Sequence, residues 1–204
     1  MPVKPERAPL AQAQASGGMA LLVIDMISTW DFADADKLAP AAVAIAPRIG
    51  ALKRRCARAG VPVVYVNDNR DRWRSEFKEL VRVSAAESKA GAAIAESLIP
   101  GDDDYSVLKP KHSAFYATPL DLLLRHLRVE RLVITGVASD QCIVMSAAEA
   151  RMRDYDVIVP SDGVAAQSPA RNAAALRHLK QAHHIETPIA ARVKLPARRS
   201  APAR

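Results

Sequence analysis

The run Met19–Ile24, MALLVI, closed by Asp25, decides how the rest of the chain is read. Six apolar residues without a polar interruption suit a strand buried on both faces, the pattern of a parallel sheet covered by helices rather than of a half-exposed strand. Working outward, similar apolar runs stand at residues 61–66, 105–108, 131–135 and 157–159. Helix-like stretches occupy 40–59, 73–89, 119–127, 140–153 and 169–182. Ile143, Ala147 and Ala150 recur at helical spacing, Ser168-Pro169 supplies a cap and a first-turn proline, and Gly60 is a helix stop. Strand alternating with helix predicts an α/β fold of three layers: a mostly parallel central sheet with helices on both faces.

The 204 residues suffice for one sizeable core and are short for two. A single domain is expected over residues 19–193. Residues 1–18, rich in Pro, Ala and Gln, and the basic stretch 194–204 read as flexible tails.

The formal net charge of +7 raises the question of a nucleic-acid partner. Residues 190–204 carry five basic side chains and no acid, and residues 1–18 add one net positive charge, so the body is left near +1. Aromatic residues make up 4% of the chain, few for stacking bases, and no nucleic-acid partner is expected. Cys56 and Cys142 are the only cysteines, without CxxC spacing, which argues against a disulfide scaffold and for a reducing, cytoplasmic setting. No stretch has the length of a secretion signal's apolar core or a membrane span, so a soluble protein without a membrane partner is expected.

In open α/β sheets ligands bind beyond the carboxyl ends of the strands, so the polar residues that follow each apolar run are the ones to inspect. Asp25 follows LLVI, Lys109 follows SVL, and Cys142 falls in the first turn of the helix after the run ending at Thr135. A thiol near its ordinary pKa of ~8.5 is only about 3% thiolate at neutral pH, and the thiolate is the nucleophile. A helix N-terminus and a nearby ammonium such as Lys109 are expected to lower the Cys142 pKa, with Asp25 as a proton shuttle. Taken singly, each residue has a plainer reading: Cys142 as a small core hydrophobe, Asp25 as a turn residue, Lys109 as a surface lysine. Cys56, in LKRRCARAG, reads as packing.

The set is more informative than its members. LLVIDM around Asp25, VLKPKHSAF around Lys109 and LVITGVASDQCIVMSA around Cys142 resemble the isochorismatase-like cysteine hydrolases, over about residues 19–166. The resemblance implies a Rossmann-like sheet and an Asp25-Lys109-Cys142 triad acting on an amide or N-carbamoyl C–N bond, an EC 3.5.1-type reaction. It further implies a cis peptide between Val137 and Ala138, an oxyanion hole from the amides of Ala138 and Cys142, and a dimer or tetramer. Two other readings are an isochorismatase-type vinyl-ether hydrolase with Cys142 idle and a non-catalytic binding domain.

Departures from the family pattern narrow the expectation. Metal-dependent nicotinamidases carry an Asp-x-His pair after the second strand, whereas here Asp68 is followed by Asn69 and Arg70, so no metal and no other cofactor is expected. The segment MISTWD after Asp25 is longer than in nicotinamidases. A small-molecule pocket is expected to be walled by Trp30, Phe32, Asn69, Trp73, Phe115 and Gln141. Arg70, Arg72 and Arg74 are placed to meet a substrate carboxylate. His112 reads as packing or as support behind the reactive groups, and Ser113 lacks the GxSxG setting of a nucleophile.

Overall fold

The computed structural model describes residues 18–69 and 76–197. In chain order the elements are β1 (Met19–Ile24), α1 (Ala35–Ala59), β2 (Val63–Asp68), α2 (Phe77–Glu87), α3 (Lys89–Leu98), β3 (Tyr105–Lys109), α4 (Leu120–His126) and β4 (Arg131–Val137). A π-helical turn, Ser139–Ile143, then runs into α5 (Val144–Met152), followed by β5 (Asp156–Ile158), β6 (Val164–Ala165) and α6 (Pro169–Ala182). The strands lie in the order β3-β2-β1-β4-β5, with β6 also pairing with β4, and every pairing is parallel. Crossover connections of this kind carry the helices onto the sheet faces.

β1 shows why its sequence is uniformly apolar. All six residues are buried, with Met19, Leu21 and Val23 packing toward α1 and α3, while Ala20, Leu22 and Ile24 face the core under α4, α5 and α6. A strand walled on both sides has no solvent face to supply alternation.

Expected and observed elements differ where local sequence misleads. α1 begins at Ala35 rather than residue 40 and contains Pro40 and Pro47. Both prolines are exposed, so the carbonyls they leave unpaired reach water, while the stripe Leu38, Ala42, Ile45, Ile49 and Leu52 stays buried. The helix expected over 73–89 is two: α2 and α3 break at Ser88, whose Oγ accepts from Gly91 N at 3.1 Å. Gly91 permits the tight corner, since a Cβ there would stand 2.1 Å from Ser84 O. The helix expected from residue 140 opens instead as the π-turn, where Ile143 N donates to Ala138 O at 3.2 Å. β6, two residues long, was not expected.

α6 matches its expected bounds, with Ser168 Oγ accepting from Arg171 N at 3.2 Å. Near the C-terminal end of the expected domain Arg55 binds Ala190 O at 2.8 Å and Val193 O at 2.7 Å, and within the expected tail Leu195 packs against the core. The remainder of the expected tails, residues 1–17 and 198–204, lies outside the described residues. Among the described residues no helix is long and apolar enough to cross a membrane.

Candidate active site

Asp25, Lys109 and Cys142 converge beyond the carboxyl ends of β1, β3 and β4. Asp25 leaves β1 with φ 54°, its N–H held by Val66 O at 2.9 Å. That left-handed backbone is uncommon for a side chain other than glycine, and Asp is among the residues that tolerate it. Lys109 ends β3 fully buried, in register with Asp68 at the end of β2. Its Nζ lies 2.9 Å from Asp25 Oδ2 and 3.6 Å from Cys142 Sγ, and it also pairs closely with Asp68 Oδ1. Asp68 N donates to Asp25 Oδ1 at 3.1 Å, which ties the two carboxylates together.

Gly136 brings the third arm close. Its φ is 115°, and a Cβ on it would stand 2.0 Å from Ile24 O, so only glycine lets β4 approach β1 this tightly. The Val137–Ala138 peptide that follows is cis, and the π-turn then presents Cys142 with 6% of its surface exposed.

A cavity of about 350 Å³ opens over these groups. Asp25, Asp68, His112, Ala138, Gln141, Cys142, Trp30, Phe32 and Gln167 line it, along with Asn67 and residues of the loop before α1. Trp30 and Phe32 form one wall with ring centroids 5.9 Å apart. Asn67 Nδ2 is committed to Ile27 O at 2.7 Å. Among the described residues no three His, Cys, Asp or Glu side chains are gathered as ligands of a metal ion.

The electrostatics differ from the sequence expectation in one important respect. Burial, and then the charge of Asp25, hold the Cys142 thiol well above its ordinary pKa, against the opposing pull of Lys109. The expected lowering fails because burial outweighs the ammonium, whose charge is also shared with Asp25 and Asp68. Burial also pushes Asp25 up to about 6, aided by Asp68 and resisted by Lys109. Lys109 itself is disfavoured by burial, but Asp25, Cys142 and Asp68 outweigh that and keep its pKa above the ordinary lysine value. At rest the site is therefore a neutral thiol beside a carboxylate that is mostly ionised at pH 7, with a permanent ammonium beneath both.

Of the expected wall residues, Trp30, Phe32 and Gln141 line the cavity. Phe115 does not: it is 3% exposed and sits in the core, its ring 5.9 Å from Tyr155 and capped by Arg153, because the segment after β3 turns it under α5. Asn69 is not part of the lining either, and its N–H continues the sheet edge by donating to Lys109 O at 2.8 Å. Trp73 and the arginines at 70, 72 and 74 lie outside the described residues. Two contacts to the reactive groups were not foreseen: Asp68 on Lys109, and His112, whose Nδ1 is 3.6 Å from Cys142 Sγ. Asp68 was legible in principle, since it ends β2 just as Asp25 follows β1.

A model of the isochorismatase domain matches residues 19–189, and the chain belongs to the isochorismatase family, whose hydrolase class it shares. It is 36% identical over 157 residues to the uncharacterized isochorismatase family protein YaaI of Bacillus subtilis (strain 168), covering 77% of this chain and 86% of that protein. A probable inactive nicotinamidase of Arabidopsis thaliana is 29% identical over 171 residues, covering 79% of this chain and 87% of its own. Among solved structures, N-carbamoylsarcosine amidase from Thermoplasma acidophilum superposes with a TM-score of 0.68 at 27% identity, covering 86% of this chain and 98% of that one.

Proposed function

We propose that the protein hydrolyses a small amide or N-carbamoyl C–N bond through an acyl-enzyme on Cys142, without a metal. The observation that carries this reading is the position of Lys109 Nζ, fully buried and within reach of both Asp25 and the Cys142 sulfur at the floor of one cavity. The likeness to an amidase supports it from outside.

In this mechanism Sγ attacks the substrate carbonyl carbon while Asp25, which lines the same cavity, takes the thiol proton. A thiol held neutral at rest requires that the transfer accompany attack, when charge moves from sulfur onto the carbonyl oxygen. The amides of Ala138 and Cys142, both of whose residues line the cavity, receive that oxyanion. The C–N bond then breaks as Asp25 protonates the leaving nitrogen. Water, deprotonated by Asp25, opens the thioester and regenerates the thiol. Lys109 keeps its proton throughout and offsets the negative charge that forms above it.

Ammonia release from a panel of small amides, N-carbamoyl compounds and ureas tests the reading. The parent protein should turn over at least one of them, and Cys142→Ala should lose that turnover to background. Undiminished turnover by Cys142→Ala would overturn the acyl-enzyme mechanism and favour a route in which the sulfur is idle, including vinyl-ether cleavage with Asp25 as the acid.

A further inference from the structure

Cys142 Sγ sits between two nitrogens at equal distance. Lys109 Nζ approaches at 3.6 Å from the buried side, and His112 Nδ1 at 3.6 Å from the other. Lys109 is fully buried, whereas His112 is exposed and lines the cavity, so the sulfur bridges a buried cation and a ring open to solvent. Only Pro110 and Lys111 separate Lys109 from His112, and Ser113 anchors the far end of this arm by donating to Glu149 Oε2 on α5. His112 is thereby held over the sulfur rather than left to swing in solvent.

We propose that His112 is a further catalytic residue of this site, donating its Nδ1 proton to Sγ as negative charge develops there. The inference rests on the assignment of Cys142 as the nucleophile. Its physical basis is a charge count. As the thiol proton passes to Asp25 during attack, the negative charge developing on sulfur and that of the Asp68 carboxylate face the single positive charge of Lys109. An imidazole N–H on the open side adds a second hydrogen bond to the sulfur, on the face that Lys109 does not reach. Proton and charge balance throughout: the thiol proton goes to Asp25, and the imidazole shares its own proton with sulfur without giving it up. The charged groups around His112 are Cys142 and Lys109 on the sulfur side and Lys111 beside it. Across the cavity stand Asp25, Asp34 and Asp68, while Glu149 of α5 is engaged by Ser113 and Arg153.

The test reads the sulfur directly and needs no substrate. Alkylation of Cys142 by iodoacetamide is followed by peptide mass across pH 5–9 in the parent, His112→Phe and His112→Gln. Phe keeps a ring and removes the donor, whereas Gln keeps a donor that does not titrate. His112→Phe should react about tenfold more slowly than the parent at pH 7, an effect of the size expected for one charge-assisted hydrogen bond. His112→Gln, which keeps a donor, should recover part of the rate. The side chain is exposed, so both variants should fold. Parent-like alkylation by His112→Phe at every pH would overturn the inference. An equal rate loss in both variants would also overturn it, because His112 would then be shown to act through packing alone. Should Cys142→Ala retain turnover while the His112 variants slow alkylation, the acyl-enzyme reading fails and the imidazole–sulfur contact stands.

Discussion

The chain holds two buried cysteines in two very different settings. Cys56 lies on α1 with no exposed surface, packed between the helix and the sheet, and burial alone pushes its thiol up to about 12. Cys142 lies at the end of β4, nearly as buried, and its thiol is also held above the ordinary value. Resting acidity therefore does not distinguish the sulfur with a cavity from the sulfur in the core. The difference lies in what stands beside it: a carboxylate, an ammonium, an imidazole and an open cavity. In the proposed mechanism that arrangement would activate the sulfur during attack, rather than store it as an anion beforehand.

Several changes sharpen or break this contrast, and the largest should be on the proton acceptor. Asp25→Asn keeps the shape of the side chain and removes the base, and should cut kcat/KM by about 10³-fold, within the range for general acid–base groups. Steady-state ammonia release measures it, and a loss below tenfold would show that the carboxylate is not the shuttle. Next is the strand approach that delivers Cys142 to the site. Gly136→Ala meets both a positive φ and a backbone oxygen 2.0 Å from the new Cβ, and should cost about 3 kcal/mol or more of stability by urea unfolding.

A pH profile separates the two sulfurs more gently. Burial raises the Asp25 pKa to about 6, so its basic form prevails above that pH and is lost below it. Turnover should fall by about tenfold per unit as pH drops below 6, and should be level from there toward neutrality. The smallest effect belongs to the core sulfur: Cys56→Ala should cost about 1 kcal/mol through lost packing and leave kcat/KM unchanged.

The sequence discloses unevenly what the structure contains. β1, α6 and the three reactive groups were legible because each rests on a local pattern: an apolar run buried on both faces, a cap with proline, and polar residues at strand ends. Asp68 follows the same pattern, since it ends β2 in register with Lys109. His112 was out of reach because its contact with Cys142 spans 30 residues and depends on how the arm after β3 folds back. Phe115 failed for the same reason, since position in the motif does not say which side of that arm meets the core. The raised thiol pKa could not be read either, because it follows first from how deeply the sulfur is buried and then from the Asp25 charge beside it, both three-dimensional facts. The exposed prolines of α1 and the two-residue β6 lie below what periodicity resolves.

The central claim is that one sulfur, and not the other, forms a bond with the substrate's acyl group. Intact-mass and peptide mapping of protein quenched during turnover of an amide or ester substrate tests it most directly. An adduct with the mass of the acyl group should appear on the peptide containing Cys142 and be absent from the one containing Cys56. Turnover that proceeds without any such adduct, and that survives in Cys142→Ala, would contradict the account.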